Sequence, residues 1–117
     1  GSYFPATVLT NVPTTADIAH SEIFGPVVAI QTFATEDEGI AMANDTPFGL
    51  AAYVFAGDTG RALTIAERIE AGMVAINKGT ISDPAAPFGG VKESGVGREG
   101  GMEGIGEYLE PKYISLP

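Results

Sequence analysis

Short apolar, β-branched runs alternate along this chain with two segments of helical spacing. Thr7–Val12 alternates apolar and polar positions and predicts a short strand. Pro13-Thr14-Thr15 marks a turn, and Ala16–Ser21 has room for one helical turn or a loop before Gly25-Pro26 interrupts it. Val27–Phe33 is rich in β-branched residues and predicts a second strand. Thr35-Glu36-Asp37-Glu38 fits a capping box, in which a Thr hydroxyl accepts from one orphan N–H and a Glu three residues on reaches back to another. The helix it opens is expected to run to about Asn44, with Ile40, Ala41 and Ala43 facing inward, and Thr46–Gly49 stops it. Leu50–Ala56 is nearly all apolar, which suits a strand buried on both faces. Asp58 is a good N-cap for a helix over Gly60–Ala71, with Ala62, Ala66 and Ile69 at i, i+4 and i+7 and Gly72 as the C-terminal stop. Met73–Asn77 predicts another strand. The β-α-β-α-β order over residues 27–77 predicts an α/β fold, a mostly parallel sheet with flanking helices.

The pattern changes after Asn77. Residues 78–101 hold seven glycines with Pro84 and Pro87, and apolar periodicity is nearly lost. So long a loop in a compact domain is functional or disordered. A short helix is expected near Gly101–Tyr108, and Lys112–Leu116 reads as a terminal strand.

Charge and composition narrow the function classes. Fifteen Asp and Glu against six Lys and Arg leave a net charge of −9, which argues against a nucleic-acid or anionic-membrane partner. With no cysteine there is no disulfide, no thiolate metal site and no thiol nucleophile. No acidic pair has metal-site spacing, so no metal is expected. No apolar run approaches the ~20 residues of a membrane span, and no basic n-region precedes an apolar stretch, so a cytoplasmic protein is expected.

Gly95-Val96-Gly97-Arg98-Glu99-Gly100 matches G-x-G-x-x-G, but a dinucleotide fingerprint must follow a strand and open a helix. The residues before it are loop-like, so a turning loop is expected. His20 has no partner residues nearby and is expected at the surface. Glu22-Ile23-Phe24-Gly25-Pro26 places a carboxylate, an aromatic ring and a rigid turn within five residues. The carboxylate could accept hydrogen bonds from ligand hydroxyls while the ring offers a flat apolar face. An ordinary exposed Glu beside a buried Phe accounts for the same residues, and from the residues alone that plainer reading is favoured. Pro87–Gly100 carries too much glycine, with aromatic and charged residues at fixed positions, for a simple linker.

Together, and in this order, the two segments resemble the NAD(P)-dependent aldehyde dehydrogenase superfamily. E-I-F-G-P and P-F-G-G-x-K-x-S-G-x-G-R-E are both present, with Gly104, Tyr108 and Lys112 following in register. The likeness runs from Tyr3 to the terminal strand, and Gly79–Lys92 is most similar to succinate-semialdehyde dehydrogenases. Many members carry two acidic residues where this chain has Ser21-Glu22.

The resemblance implies part of an aldehyde dehydrogenase catalytic domain over residues 1–108 and an oligomerisation strand over 109–117. It implies that Glu22 binds the nicotinamide ribose hydroxyls of NAD or NADP and that Phe24 packs near the nicotinamide. Ser82 and Phe88 would line the aldehyde entrance, with Ser82 on the distal carboxylate of succinate semialdehyde; a loop-capping hydroxyl is an equal account of Ser82. The family's nucleophilic Cys and general-base Glu belong upstream of the matching stretch, so none of its catalytic residues is expected here. The chain is therefore expected to be a C-terminal piece, inactive alone, that self-associates through Lys112–Leu116. Its glycines at 89–101 are expected to be structural, and the 78–101 loop partly disordered. Two alternatives stay open: an aldehyde dehydrogenase for another small aldehyde, and a non-catalytic assembly or binding domain. The residues do not choose between NAD and NADP.

Overall fold

The computed structural model describes all 117 residues, which divide into two compact units, Gly1–Pro47 and Phe48–Pro117. In the first unit, strand β1 (Thr7–Leu9) pairs in parallel with β2 (Val27–Ala29), with Thr7 opposite Val27. A 3₁₀ turn at Asp17–Ala19 interrupts the connection. Both strands are shorter than the apolar patterns predict: the ladder ends at Leu9 opposite Ala29, and beyond it the Ile30 N–H donates to the Leu9 carbonyl at 2.8 Å and the Val12 N–H to the Ile30 carbonyl at 3.3 Å.

Helix α1 (Glu36–Asn44) starts where its cap dictates. The Glu38 N–H donates to Thr35 Oγ1 at 3.3 Å, and Glu38 Oε2 accepts from the Ala34 N–H at 2.8 Å, one residue before the cap. Three acidic residues in the first turn suit the positive end of the helix dipole. Ile40 is buried, and the Phe33 ring lies so close to Gly39 that a Cβ there would come within 3.0 Å of it. Ala41 and Ala43, expected to face inward, are exposed, because neither β1 nor β2 packs extensively on α1.

The second unit opens with β3 (Phe48–Gly49), followed by β4 (Ala51–Val54), α2 (Thr59–Arg68), β5 (Met73–Ile76) and β6 (Val91–Lys92). β4 and β5 form a parallel pair joined through α2, a β-α-β unit of the kind the order predicts. Asp58 caps α2, its Oδ1 accepting from the Arg61 N–H at 2.6 Å. The core is made of small residues: Ala62 of α2 is 0% exposed, and Ala75 of β5 and Val54 of β4 are buried with it. Alanine at both facing positions lets the helix lie close on the strands. β3 and β6 form a separate antiparallel pair, Phe48 opposite Lys92.

Three expectations are corrected. The single parallel sheet over residues 27–77 is instead divided, with β2 paired to β1 and β4 to β5 in two separate ladders. β4 is not buried on both faces: Tyr53 is 48% and neighbouring Phe55 69% exposed, because α2 covers only one side of a two-stranded ladder. Gly72 is not a helix stop. α2 ends at Arg68 with Ile69 extended as its C-cap, and Gly72 serves a close approach: a Cβ there would lie 2.1 Å from the Gly89 carbonyl oxygen.

A 3₁₀ helix covers Glu103–Tyr108, near the place the pattern predicts. Lys112–Leu116, expected as a strand, forms no ladder within the chain and carries no regular secondary structure. No helix is long and apolar enough to cross a membrane.

Candidate functional site

The first candidate segment sits between the 3₁₀ turn and β2. Gly25-Pro26 is tied into the ladder: the Thr7 N–H donates to the Pro26 carbonyl at 2.9 Å, and the Val27 N–H to that of Gly25 at 2.8 Å. Phe24, just ahead, has φ 50°. A bulky residue in the left-handed region is strained, and the strain persists only where the surrounding chain imposes it. The result is a ring 93% exposed rather than buried as a plain pre-strand Phe would be. Glu22 is exposed two residues before it, and its carboxylate engages no other residue of the chain. The segment thus offers an unengaged double acceptor and a flat apolar face from one constrained turn. That acceptor and apolar face fit a ligand carrying vicinal hydroxyls beside a planar ring.

His20, expected as a plain surface residue, is half-buried and held at both ring nitrogens. Nδ1 lies 2.9 Å from the Asp45 carbonyl oxygen and Nε2 2.5 Å from that of Thr14. The Thr14 carbonyl, and then that of Asp45, raise its pKa above the ordinary histidine value. Desolvation opposes this, and the Asp45 and Asp17 carboxylates add to it. Nothing in the local sequence announces these bonds, because their partners lie 6 and 25 residues away.

The second segment is a folded loop. Phe88 and Glu99 form an antiparallel bridge, each N–H donating to the other's carbonyl at 2.6 and 2.7 Å. Arg98 Nη1 donates to the carbonyls of Gly90 at 2.7 Å and Gly97 at 2.8 Å. Ser94 Oγ accepts from the Gly49 N–H at 3.0 Å, fastening the loop to β3. These bonds give residues 88–99 of the segment a defined course. They enclose an open cleft of about 860 Å³ whose wall runs from Phe88 through Val96 and Arg98 to Tyr108.

Gly100 and Gly101 have φ 65° and 59°, and a Cβ on Gly97 would come within 2.9 Å of the Glu107 carboxylate. The glycines are structural, as expected. The G-x-G-x-x-G run follows a two-residue antiparallel strand and leads into a 3₁₀ helix, which is not the strand–turn–helix a dinucleotide fingerprint requires.

Of the four residues singled out, Glu22 and Phe24 share the turn of the first unit, and Ser82 and Phe88 lie in the second. Phe88 lines the cleft; Ser82 is exposed and does not. The turn after Ser82 is capped by its neighbour, Asp83 Oδ1 accepting from the Ala85 N–H at 2.9 Å, so a loop-capping role for Ser82 is not needed there. Asn77 was not singled out. At φ 50° it turns the chain off β5, its side chain making one bond each way with the Ala56 backbone at 2.9 Å. No three His, Cys, Asp or Glu side chains come together in a metal-binding group.

The family model of the aldehyde dehydrogenase family matches residues 1–114. Over 116 residues the chain is 53% identical to a succinate-semialdehyde dehydrogenase of Paenarthrobacter nicotinovorans, covering 99% of this chain and 26% of that protein. It is 52% identical to a glutarate-semialdehyde dehydrogenase of Pseudomonas putida, covering 99% of this chain and 24% of that one. Its fold is similar to that of a Mycobacterium tuberculosis aldehyde dehydrogenase solved with NAD+, with a TM-score of 0.87 and 43% identity over 94% of this chain and 23% of that one. The chain thus spans about a quarter of the length of the relatives it matches.

Proposed function

The chain belongs to the aldehyde dehydrogenase family, and from that premise we propose that it forms the cofactor-ribose and aldehyde-entrance part of an NAD(P)-dependent enzyme oxidising succinate semialdehyde to succinate. The observation that carries this reading is the Glu22–Phe24 turn. Its carboxylate is exposed and engages no other residue of the chain, and its ring is held outward by a strained backbone. Glu22 accepts two hydrogen bonds from the ribose hydroxyls, charge-assisted on the acceptor side, and so fixes the ring's distance from the reacting carbon. Phe24 limits the tilt of the nicotinamide by contact with its face. The cofactor supplies the hydride acceptor.

The thiol that attacks the aldehyde comes from outside these 117 residues, which contain no cysteine. The chain alone is therefore catalytically silent: purified on its own, it gives no NADH or NADPH from succinate semialdehyde. Phe88 forms one wall of the entrance and Ser82 donates to the distal carboxylate. Lys112–Leu116, which joins none of the ladders of its own chain, pairs with a second copy. Light scattering of a clean monomer at high concentration would count against that pairing.

Glutarate semialdehyde is the second reading, supported by the 52% identical relative of that name. The two substrates differ by one methylene, which a pocket resolves by roughly 10- to 200-fold. The test is kcat/KM of the full-length enzyme for both semialdehydes and for a plain aliphatic aldehyde. Glu22→Gln should weaken NAD(P) binding with every substrate, and Ser82→Ala should raise KM for the carboxylated substrates alone. Unaltered cofactor affinity in Glu22→Gln refutes the reading.

A further inference from the structure

His20 is the only histidine of the chain and stands two residues before Glu22. Its ring reaches two backbone carbonyls at once, Thr14 on the turn before the 3₁₀ segment and Asp45 at the C-cap of α1. A carbonyl oxygen only accepts. A neutral imidazole has one N–H and one lone pair, so it satisfies one carbonyl and sets its lone pair against the other. Only the imidazolium, with two N–H groups, donates to both. The charge is also well placed: α1 has three acidic residues in its first turn and no basic residue in its last, so its negative end has no cation of its own. The charged groups facing the ring are Asp17 from the 3₁₀ turn and Asp45 from α1, both carboxylates. The Pro13-Thr14-Thr15 turn brings no titratable side chain.

The two bonds have a consequence for the neighbouring turn. They fasten residue 20 to α1 on one side and to the chain preceding the 3₁₀ turn on the other. The Gly25 and Pro26 carbonyls are fastened to the β1–β2 ladder. Glu22 and the strained Phe24 span the short stretch between these two anchors. If the first anchor is released, the constraint that holds Phe24 in the left-handed region is open at one end.

We propose that His20, as an imidazolium bridging the Thr14 and Asp45 carbonyls, is the positioning residue for the Glu22–Phe24 turn, so that cofactor affinity falls as the ring loses its proton. The inference rests on the reading of Glu22 given above. Its sign follows from the direction of the shift. The folded ring holds its proton to higher pH than the unfolded one. The clamp is therefore complete below the ordinary histidine value and lost as pH rises through the raised folded value.

Two measurements test it. In the first, ¹⁵N-detected NMR follows the single histidine ring of the chain with pH, in buffer and in urea. Both ring nitrogens should be protonated below the ordinary histidine value in the folded chain, with a midpoint above that in urea; a midpoint at or below the urea value overturns the clamp. In the second, NAD(P) affinity of the full-length enzyme is measured at low and high pH for the wild type, His20→Arg and His20→Gln. Arginine keeps its charge and donors throughout, so its affinity should stay high across the range. Glutamine should bind weakly at both ends, and the wild type should fall by about fivefold or more between them, the lower range for coupled sites. A wild-type profile parallel to that of His20→Arg overturns the positioning role while leaving Glu22 as the ribose ligand. Absence of cofactor binding by every protein, wild type included, overturns the Glu22 reading and the positioning role together, and the ring titration still decides the clamp.

Discussion

Replacing Gly72 by alanine tests whether the glycine loop and the β4–β5 ladder are packed as one piece. An added Cβ would lie 2.1 Å from the Gly89 carbonyl oxygen, 2.8 Å from Gly90 Cα and 2.9 Å from the Gly89 carbonyl carbon. All three are backbone atoms, so no side chain can swing aside. An ordinary carbon–oxygen contact is about 3.5 Å, so the Gly89 backbone or the start of β5 must shift by more than ~1 Å. The Gly72 N–H also donates to the Gly49 carbonyl at 2.9 Å, which opposes movement on the β5 side. Overpacking of this kind costs about 1–3 kcal/mol, and rigid neighbours place it at the upper end. For a domain near this size that lowers Tm by about 10 °C. Gly57→Ala is the control, since nothing lies within 4 Å of its Cβ and its φ is not positive. Thermal unfolding of the chain reads both. In the full-length enzyme the shift passes to Phe88, next to Gly89, and if Phe88 lines the aldehyde entrance as proposed, a misplacement of ~1 Å there costs on the order of 100-fold in kcat/KM. A Gly72→Ala Tm within 2 °C of the Gly57→Ala value, or unchanged kcat/KM, would refute the close packing.

Three further outcomes are expected. Asp58→Ala removes the cap of α2 and should cost about 1 kcal/mol by urea unfolding, largely restored in Asp58→Asn, which keeps the acceptor oxygen. Ser94→Ala leaves the N–H of buried Gly49 without its partner and should cost about 1–3 kcal/mol; a cost near zero would mean that water replaces the hydroxyl. Phe24→Gly should be more stable than Phe24→Ala by about 1 kcal/mol, because only alanine retains the left-handed penalty, while both weaken cofactor binding in the full-length enzyme.

The parts of the fold legible in the sequence are those whose bonds close within four residues. The Thr35 and Asp58 caps each accept from the N–H three positions on, so the starts of α1 and α2 fall where the residues say. Strand ends are set by partners instead. Thr7–Val12 and Val27–Phe33 carry strand-like patterns over twice the length that actually pairs. The apolar run Leu50–Ala56 predicts two covered faces, but α2 covers one. Tyr53 and Phe55 keep the composition of a doubly buried strand without its cover.

Glycine shows why the site was only partly legible. Composition marks residues 87–100 as more than a simple linker, and the glycines there do meet positive φ or close approach, as at Gly97 and Gly100. Gly72 satisfies a helix-stop pattern equally well, yet its reason is the Gly89 carbonyl seventeen residues away, which no local rule reads. The same holds at the Glu22–Phe24 turn, the proposed cofactor contact. Glu22 and Phe24 stand out by their spacing, but spacing predicts a buried Phe, and the outward ring follows from a φ of 50°. That value is fixed by what holds the turn at its two ends. One end is the β1–β2 ladder, visible in the alternation of Thr7–Leu9. The other is a histidine whose local surroundings predict a bystander and whose two carbonyl partners make it an anchor. A motif thus names the atoms that face a ligand; the groups that aim those atoms are selected by distance in space, and a single sequence carries no trace of them.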